Sequence, residues 1–150
     1  MSAAPRLGDQ LCFQLYTASR LVTRAYRPLL DAMGISYPQY LVLMVLWEAR
    51  DTGGEPLSVR EVGDRLYLDS GTLTPLLKRL EGKGLVRRSR SAQDERVVLV
   101  GLTYAGDALR EPACAVAQSL LDGGDAQTLA AVEDLRQRVH GLVRAMAARG

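Results

Sequence analysis

Apolar residues recur at helical spacing over most of the chain, and one strand-like region interrupts them. Ser58–Leu68 carries Val59, Val62 and Leu66 on one stripe, behind a Ser58/Glu61 capping box. Tyr67-Leu68-Asp69 forms a turn. Ser70–Gly82 then carries Leu73, Leu76, Leu77 and Leu80, which buries one face and turns Gly71, Thr74, Pro75, Lys78, Arg79 and Gly82 outward. Asp69 or Ser70 can cap this helix. Pro75 fits a first turn if Thr72 is the cap and removes a backbone bond if Ser70 is. Gly82 or Gly84 can end it. Leu85–Arg90 and Val97–Leu102 are β-prone runs joined by the polar tip Ser91–Glu95, which predicts a hairpin.

The flanking pattern is helical again. Leu7–Leu30 reads as one helix with Asp9 as N-cap and a stripe of Leu11, Leu15, Ala18, Val22, Ala25 and Leu29, stopped by Gly34. Ser36 opens the next helix through a second capping box to Gln39, with Ile35 stapled onto Tyr40. Tyr40–Trp47 is apolar nearly all round and should be buried. Arg50–Pro56 is a polar loop. Thr103 can cap a helix to about Leu121, kinked at Pro112. Gly123-Gly124 breaks it, and Asp125 caps a last helix with a stripe of Leu129, Val132, Leu135, Val139, Leu142, Val143 and Met146.

Two helices followed at once by a basic hairpin predict a mainly α fold with a small β-hairpin wing, a winged helix-turn-helix over residues 36–102. Residues 7–35 and 103–148 supply apolar stripes outside that unit, and we expect them to pair two copies across a two-fold axis. At 150 residues the whole of 1–150 reads as a single domain.

Charge sharpens this picture. The net charge is only +2, yet Lys78–Arg96 holds seven Lys and Arg against three Asp and Glu, a local +4. A concentrated basic segment on a near-neutral chain fits phosphate contact, so double-stranded DNA is the expected partner. Ser70, Thr72, Thr74, Lys78 and Arg79 are the candidates on the second helix. Arg88, Arg90, Asp94 and Arg96 are those on the hairpin, where Arg96 near the tip suits a minor groove. The chain has no apolar run long enough for a membrane span, no signal-peptide core in Met1–Gln10, and no metal cluster, phosphate-binding glycine loop or catalytic triad. We expect a cytoplasmic protein that is not an enzyme and needs no cofactor or metal.

The candidate chemistry is sulfur. Cys12 falls in the first turn of the first helix, where unpaired N–H groups and the helix dipole favour a thiolate, and Tyr16 lies one turn on. A buried Cys acting as a small hydrophobe is the bland alternative. Cys114, between Ala113 and Ala115, reads as packing when taken alone. His140 reads as a surface or interface residue.

With these residues in view, the chain resembles the MarR family of dimeric winged-helix repressors, and within it the organic-hydroperoxide-sensing OhrR group. The resemblance covers about Leu7 to Leu109. It is carried by the motif from Gln10 to Tyr16, by Ala25-Tyr26-Arg27-Pro28-Leu29, by Tyr37-Pro38-Gln39-Tyr40-Leu41, by the run from Leu66 to Glu81, and by Asp94-Glu95-Arg96. It implies that Cys12 is the peroxide-reactive cysteine and that Tyr16, Tyr26 and Tyr37 surround it, two of them from the partner subunit. It implies that Asp94 orients Arg96 for the minor groove. It also implies that Cys114 is the resolving cysteine of an intersubunit disulfide. The implied protein is a homodimer that binds a pseudo-palindromic operator when reduced, represses a peroxide-detoxifying gene, and is released when an organic hydroperoxide oxidises Cys12. Two other readings stay open: a repressor of this type released by a phenolic or other small ligand, and a thiol peroxidase. The Arg50–Pro56 loop looks longer than is usual in the family, and the helices after Leu120 carry no family motif.

Overall fold

A computed structural model describes residues 4–150. Its elements run, in chain order, α1 (Leu11–Ala32), α2 (Tyr37–Asp51), β1 (Leu57–Ser58), α3 (Val59–Leu66), α4 (Ser70–Gly82), β2 (Val86–Arg90), β3 (Val98–Leu102), α5 (Tyr104–Ala108), α6 (Arg110–Ser119) and α7 (Ala126–Ala147).

Most helix starts lie where side chains can cap them. Ser36 and Ser58 each accept from the backbone N–H three residues on, and Gln39 and Glu61 reach back to complete both capping boxes. Thr103 and Asp125 cap α5 and α7 in the same way. The start of α1 departs from expectation. Leu7–Asp9 closes a single 3-10 turn, so Asp9 lies outside the helix and Gln10 takes the N-cap position without a side-chain bond. Gly34 and Gly84 take positive φ values of 70° and 72° and turn the chain after α1 and α4. Gly82 stays inside α4.

The centre of the core is α2. Tyr40, Val42, Leu43, Val45, Leu46, Trp47 and Ala49 are buried on it, packed against Val62 of α3, Leu73, Leu77 and Leu80 of α4, and Val86 and Val100 of the sheet. The wing is larger than the expected hairpin. Leu57↔Val100 and Ser58↔Leu99 add β1 as a third antiparallel strand, in the order β1-β3-β2. Two residues make too short a run for a period-2 pattern, so β1 left no strand signal. The polar loop is also shorter than expected, because α2 continues to Asp51.

The expected long helix after Thr103 is broken at Leu109 into α5 and α6. Pro112 has no N–H to return to the Ala108 carbonyl, so the helix restarts with Pro112 in its first turn. At this junction Gly106 is pressed against the sheet. A Cβ there would lie 2.0 Å from the Leu85 carbonyl oxygen. The Trp47 indole N–H donates to the Gly106 carbonyl at 3.1 Å, and Arg110 donates to the Trp47 carbonyl at 2.8 Å while pairing with Asp51. α6 is thereby fastened to the core. α7 is not: none of its 22 residues is buried, and Leu135 and Met146 are about three-fifths exposed.

Candidate nucleic-acid interface and thiol site

The exposed face of α4 is set by its start. Asp69 Oδ1 accepts from the Thr72 N–H at 2.7 Å, a bond that also holds its carboxyl below the usual range. Asp69 is therefore the cap, Ser70 is the first helical residue, and Pro75 lies inside the helix with no donor for the Gly71 carbonyl. With Leu73, Leu77 and Leu80 buried, Ser70, Thr72, Lys78 and Arg79 are exposed and Thr74 is half-buried. The result is a small, hydroxylic and basic surface that can approach base edges and phosphates together.

The wing arginines differ in what they do. Arg88 is turned inward. Its backbone N–H donates to Glu81 Oε2 at 2.9 Å, and its guanidinium donates to Oε1 at 3.2 and 3.0 Å. These bonds fasten β2 to α4 and hold the Glu81 carboxyl below its ordinary value. Glu81 was not singled out in the sequence, although it stands seven residues before Arg88, on the last turn of the helix that β2 must pass. Arg90 donates to the Glu95 carbonyl at 2.7 Å and closes the tip. Asp94 accepts from the Arg96 backbone N–H at 3.0 Å and from its guanidinium at 3.2 and 3.3 Å, which leaves that side chain oriented yet 90% exposed. A helix shaped for a major groove thus stands beside an arginine aimed outward from a wing tip.

The thiol side is built on α1. Cys12 is the second residue of the helix and is exposed. Tyr16, one turn on, is 64% exposed, and the Arg20 guanidinium lies 5.5 Å above its ring. Tyr26 and Tyr37 stack at 5.8 Å, and an aromatic ladder continues through Tyr40 to Trp47 at 6.0 and 6.3 Å. Burial pushes the Tyr37 and Tyr40 phenols up, and for Tyr40 the neighbouring Tyr26, Tyr37 and Cys114 add to the effect. Cys114 is exposed, with its Sγ 3.5 Å from the Arg110 carbonyl. Cys114 therefore sits at the edge of the tyrosine ladder. Cys12 does not. Fourteen residues of continuous helix put Tyr26 on the order of 21 Å from Cys12 along the axis. One chain assembles two separate groups, Cys12 with Tyr16, and Tyr26 with Tyr37, Tyr40 and Cys114. Tyr40 and Trp47 were read only as core, since nothing in a linear pattern marks a ladder.

Among the described residues, no cluster of three or more His, Cys, Asp or Glu could hold a metal ion. Among the same described residues, no single helix is long and apolar enough to cross a membrane.

Fold and interface define a winged-helix DNA-binding regulator. The family described as transcriptional regulator SarA/Rot matches residues 24–111. The chain is 52% identical over 116 residues to the organic hydroperoxide resistance transcriptional regulator of Bacillus subtilis, covering 77% of this chain and 76% of that protein. It belongs to the MarR/SarA-type winged-helix regulators, in the organic hydroperoxide group. Among solved structures it is similar to AbfR of Staphylococcus epidermidis. Reduced AbfR bound to DNA is 39% identical with a TM-score of 0.72, covering 92% of this chain and 95% of that one. Disulfide-formed AbfR is 38% identical with a TM-score of 0.67, covering 93% of each chain. The PcaV regulator of Streptomyces coelicolor, in complex with its natural ligand, is 26% identical with a TM-score of 0.73, covering 93% of this chain and 98% of that one.

Proposed function

We propose that this regulator binds a pseudo-palindromic DNA operator as a homodimer while Cys12 is reduced, and leaves it when an organic hydroperoxide oxidises Cys12. One observation carries the reading. Cys12 and Tyr26 of the tyrosine ladder lie on the order of 21 Å apart along the same helix, and among the described residues the apolar faces near Leu11 and along α7 stay largely uncovered. A two-fold axis that runs two α1 helices in opposite directions satisfies both facts. It covers the stripes and brings Cys12 of one subunit to Tyr26, Tyr37 and Cys114 of the other.

The chemistry follows from that meeting. The Cys12 thiolate attacks the peroxide, an S–O bond forms, the O–O bond breaks, and the alkoxide takes a proton and leaves as the alcohol. Phenol O–H groups hydrogen-bond the thiolate and then the sulfenic oxygen. The Cys114 thiol attacks the sulfenic sulfur, giving an intersubunit disulfide and water. The tether shifts α1 and α6 and with them the spacing of the two α4 helices. A hundredfold loss of operator affinity needs about 2.7 kcal/mol of preference for the non-binding arrangement. The disulfide-formed AbfR structure supports this route, and the overoxidised AbfR bound to DNA supports the disulfide as the releasing species.

The ligand-bound PcaV structure favours a second reading, release by a small molecule with Cys12 incidental. Operator binding measured with cumene hydroperoxide separates the two. Cys12→Ser should stay bound while the parent chain dissociates, and release of the variant would favour the ligand reading. Cys114→Ser should lose the peroxide-induced dimer band on a non-reducing gel, and a persisting band would remove Cys114 from the mechanism.

A further inference from the structure

The wing leaves α4 through a short hinge. The chain turns at Gly84, with a φ of 72°, and only Leu85 stands between that turn and β2. Alternation along β2 then puts Val86, Arg88 and Arg90 on one face. Val86 is buried in the core, and Arg90 closes the tip. Arg88 lies halfway, paired across the ladder with Val100. Between α3, α4 and β3 a cleft of about 610 Å³ separates the wing from the helices, lined by Val59, Leu77 and Val98 with Arg88 and Arg96 on its wing side. A hairpin on a glycine turn beside such a space has room to swing. Glu81 is the strut that stops it. From the last turn of α4, one carboxylate oxygen accepts from the Arg88 backbone N–H at 2.9 Å, and the other accepts from its guanidinium at 3.2 and 3.0 Å. A carboxylate beside DNA repels phosphates unless it is neutralised, and Arg88 neutralises this one with two of its own donors.

We propose that Glu81 is a positioning residue for operator recognition, an inference that rests on the DNA-binding reading above. Through Arg88 it sets how far the wing tip stands from α4, so that Arg96 reaches a minor groove while α4 occupies the major groove beside it. Arg88 then serves the interface without touching DNA. The two grooves of a duplex differ in width and lie at a fixed spacing, so a two-part reader needs its parts held at the matching distance. Arg96 cannot set that distance itself. Its own partner, Asp94, rides on the same tip and orients the side chain only relative to the wing. The Glu81 pair is what refers the wing back to the helix.

The test is DNA binding by the whole reduced chain, followed by fluorescence anisotropy on the duplex that it selects from a random-sequence library. Glu81→Gln, Arg96→Ala and the double variant are compared with the parent chain. Charge alone predicts that Glu81→Gln tightens binding, since an anion leaves the DNA side. Positioning predicts the opposite: a loss of at least about fivefold in the parent chain, and of less than about twofold in the Arg96→Ala background. The slope of log affinity against log salt should flatten by about one in Glu81→Gln, as in Arg96→Ala, because the same cation is withdrawn from the duplex. Arg88→Lys keeps the charge and loses the forked grip, so it should reproduce this pattern even if Glu81→Gln does not fold. Unchanged or tighter binding in Glu81→Gln and Arg88→Lys overturns the inference. So does an equal loss with and without Arg96, or an Arg96→Ala variant that binds like the parent. If the parent chain selects no duplex, the DNA-binding reading itself fails.

Discussion

Lys83 Nζ donates to the Gly34 carbonyl oxygen at 2.6 Å and to Gln39 Oε1 at 3.0 Å. Lys83 is the C-cap of α4, and Gly34 stands two residues past the end of α1. The helix that carries Cys12 at its first turn is therefore tied, at its other end, to α4, the helix proposed to face DNA. Lys83→Met should cost about 0.5–1 kcal/mol of stability in urea unfolding, because one bond is exposed and the other only partly buried. It should also blunt peroxide-driven operator release more than it lowers the affinity of the reduced protein. Release with an unaltered midpoint would show that this tie carries no signal.

The Glu81–Arg88 clamp should respond to acid. Arg88 holds the Glu81 carboxyl below its ordinary value of 4.5, so the native state binds that proton less readily than the unfolded chain. The clamp's contribution is complete above about pH 5 and is lost as pH falls through the lower folded value. Hydrogen exchange of the β2 and β3 amides should accelerate across that window in the parent chain. Glu81→Gln should show faster exchange already at pH 7 and no such pH step.

Arg96→Ala should weaken operator binding by about 1–3 kcal/mol while leaving the thermal midpoint unchanged, since the side chain is almost fully solvated. Asp94→Ala should cost less, because it removes the orientation and keeps the charge. Fluorescence anisotropy with a labelled operator measures both, and an unchanged affinity for the arginine variant would take the wing out of the interface.

Gly106→Ala tests the junction between the sheet and α6. The new methyl would meet the Leu85 carbonyl at 2.0 Å, and the Trp47 bond to the same residue resists its retreat. A loss of about 2 kcal/mol or more in calorimetry or urea unfolding is expected.

The uncovered stripe of α7 makes the last prediction. Leu135→Glu with Val143→Glu should shift the protein toward monomer in analytical ultracentrifugation and weaken operator binding, with the core around α2 still folded. A variant that sediments like the parent would exclude α7 from the pairing surface.

Much of this was legible in the chain because the signals were local. The Ser36/Gln39 and Ser58/Glu61 boxes, the Thr103 and Asp125 caps, and the leucine stripe of α4 each lie within a few residues. The misses were of two kinds. Asp9 is a good cap residue placed one residue too early, because Leu7–Asp9 closes a 3-10 turn before the helix begins at Leu11. The pairing of Arg88 with Glu81 escaped notice because the two come within reach only once β2 folds back on α4. The separation of Cys12 from Tyr26 could be counted in the sequence, yet its meaning depended on α1 running unbroken from one to the other.

The helix with no fully buried residue in its own chain has a consequence for dosage. On the two-fold assembly proposed here, α7 is ordered by another copy, so the free energy holding it depends on how many copies are present. Each tenfold dilution withdraws about 1.4 kcal/mol from the paired state. A cell making little of this regulator would then loosen repression without any oxidant, and peroxide would act on a population already poised by abundance.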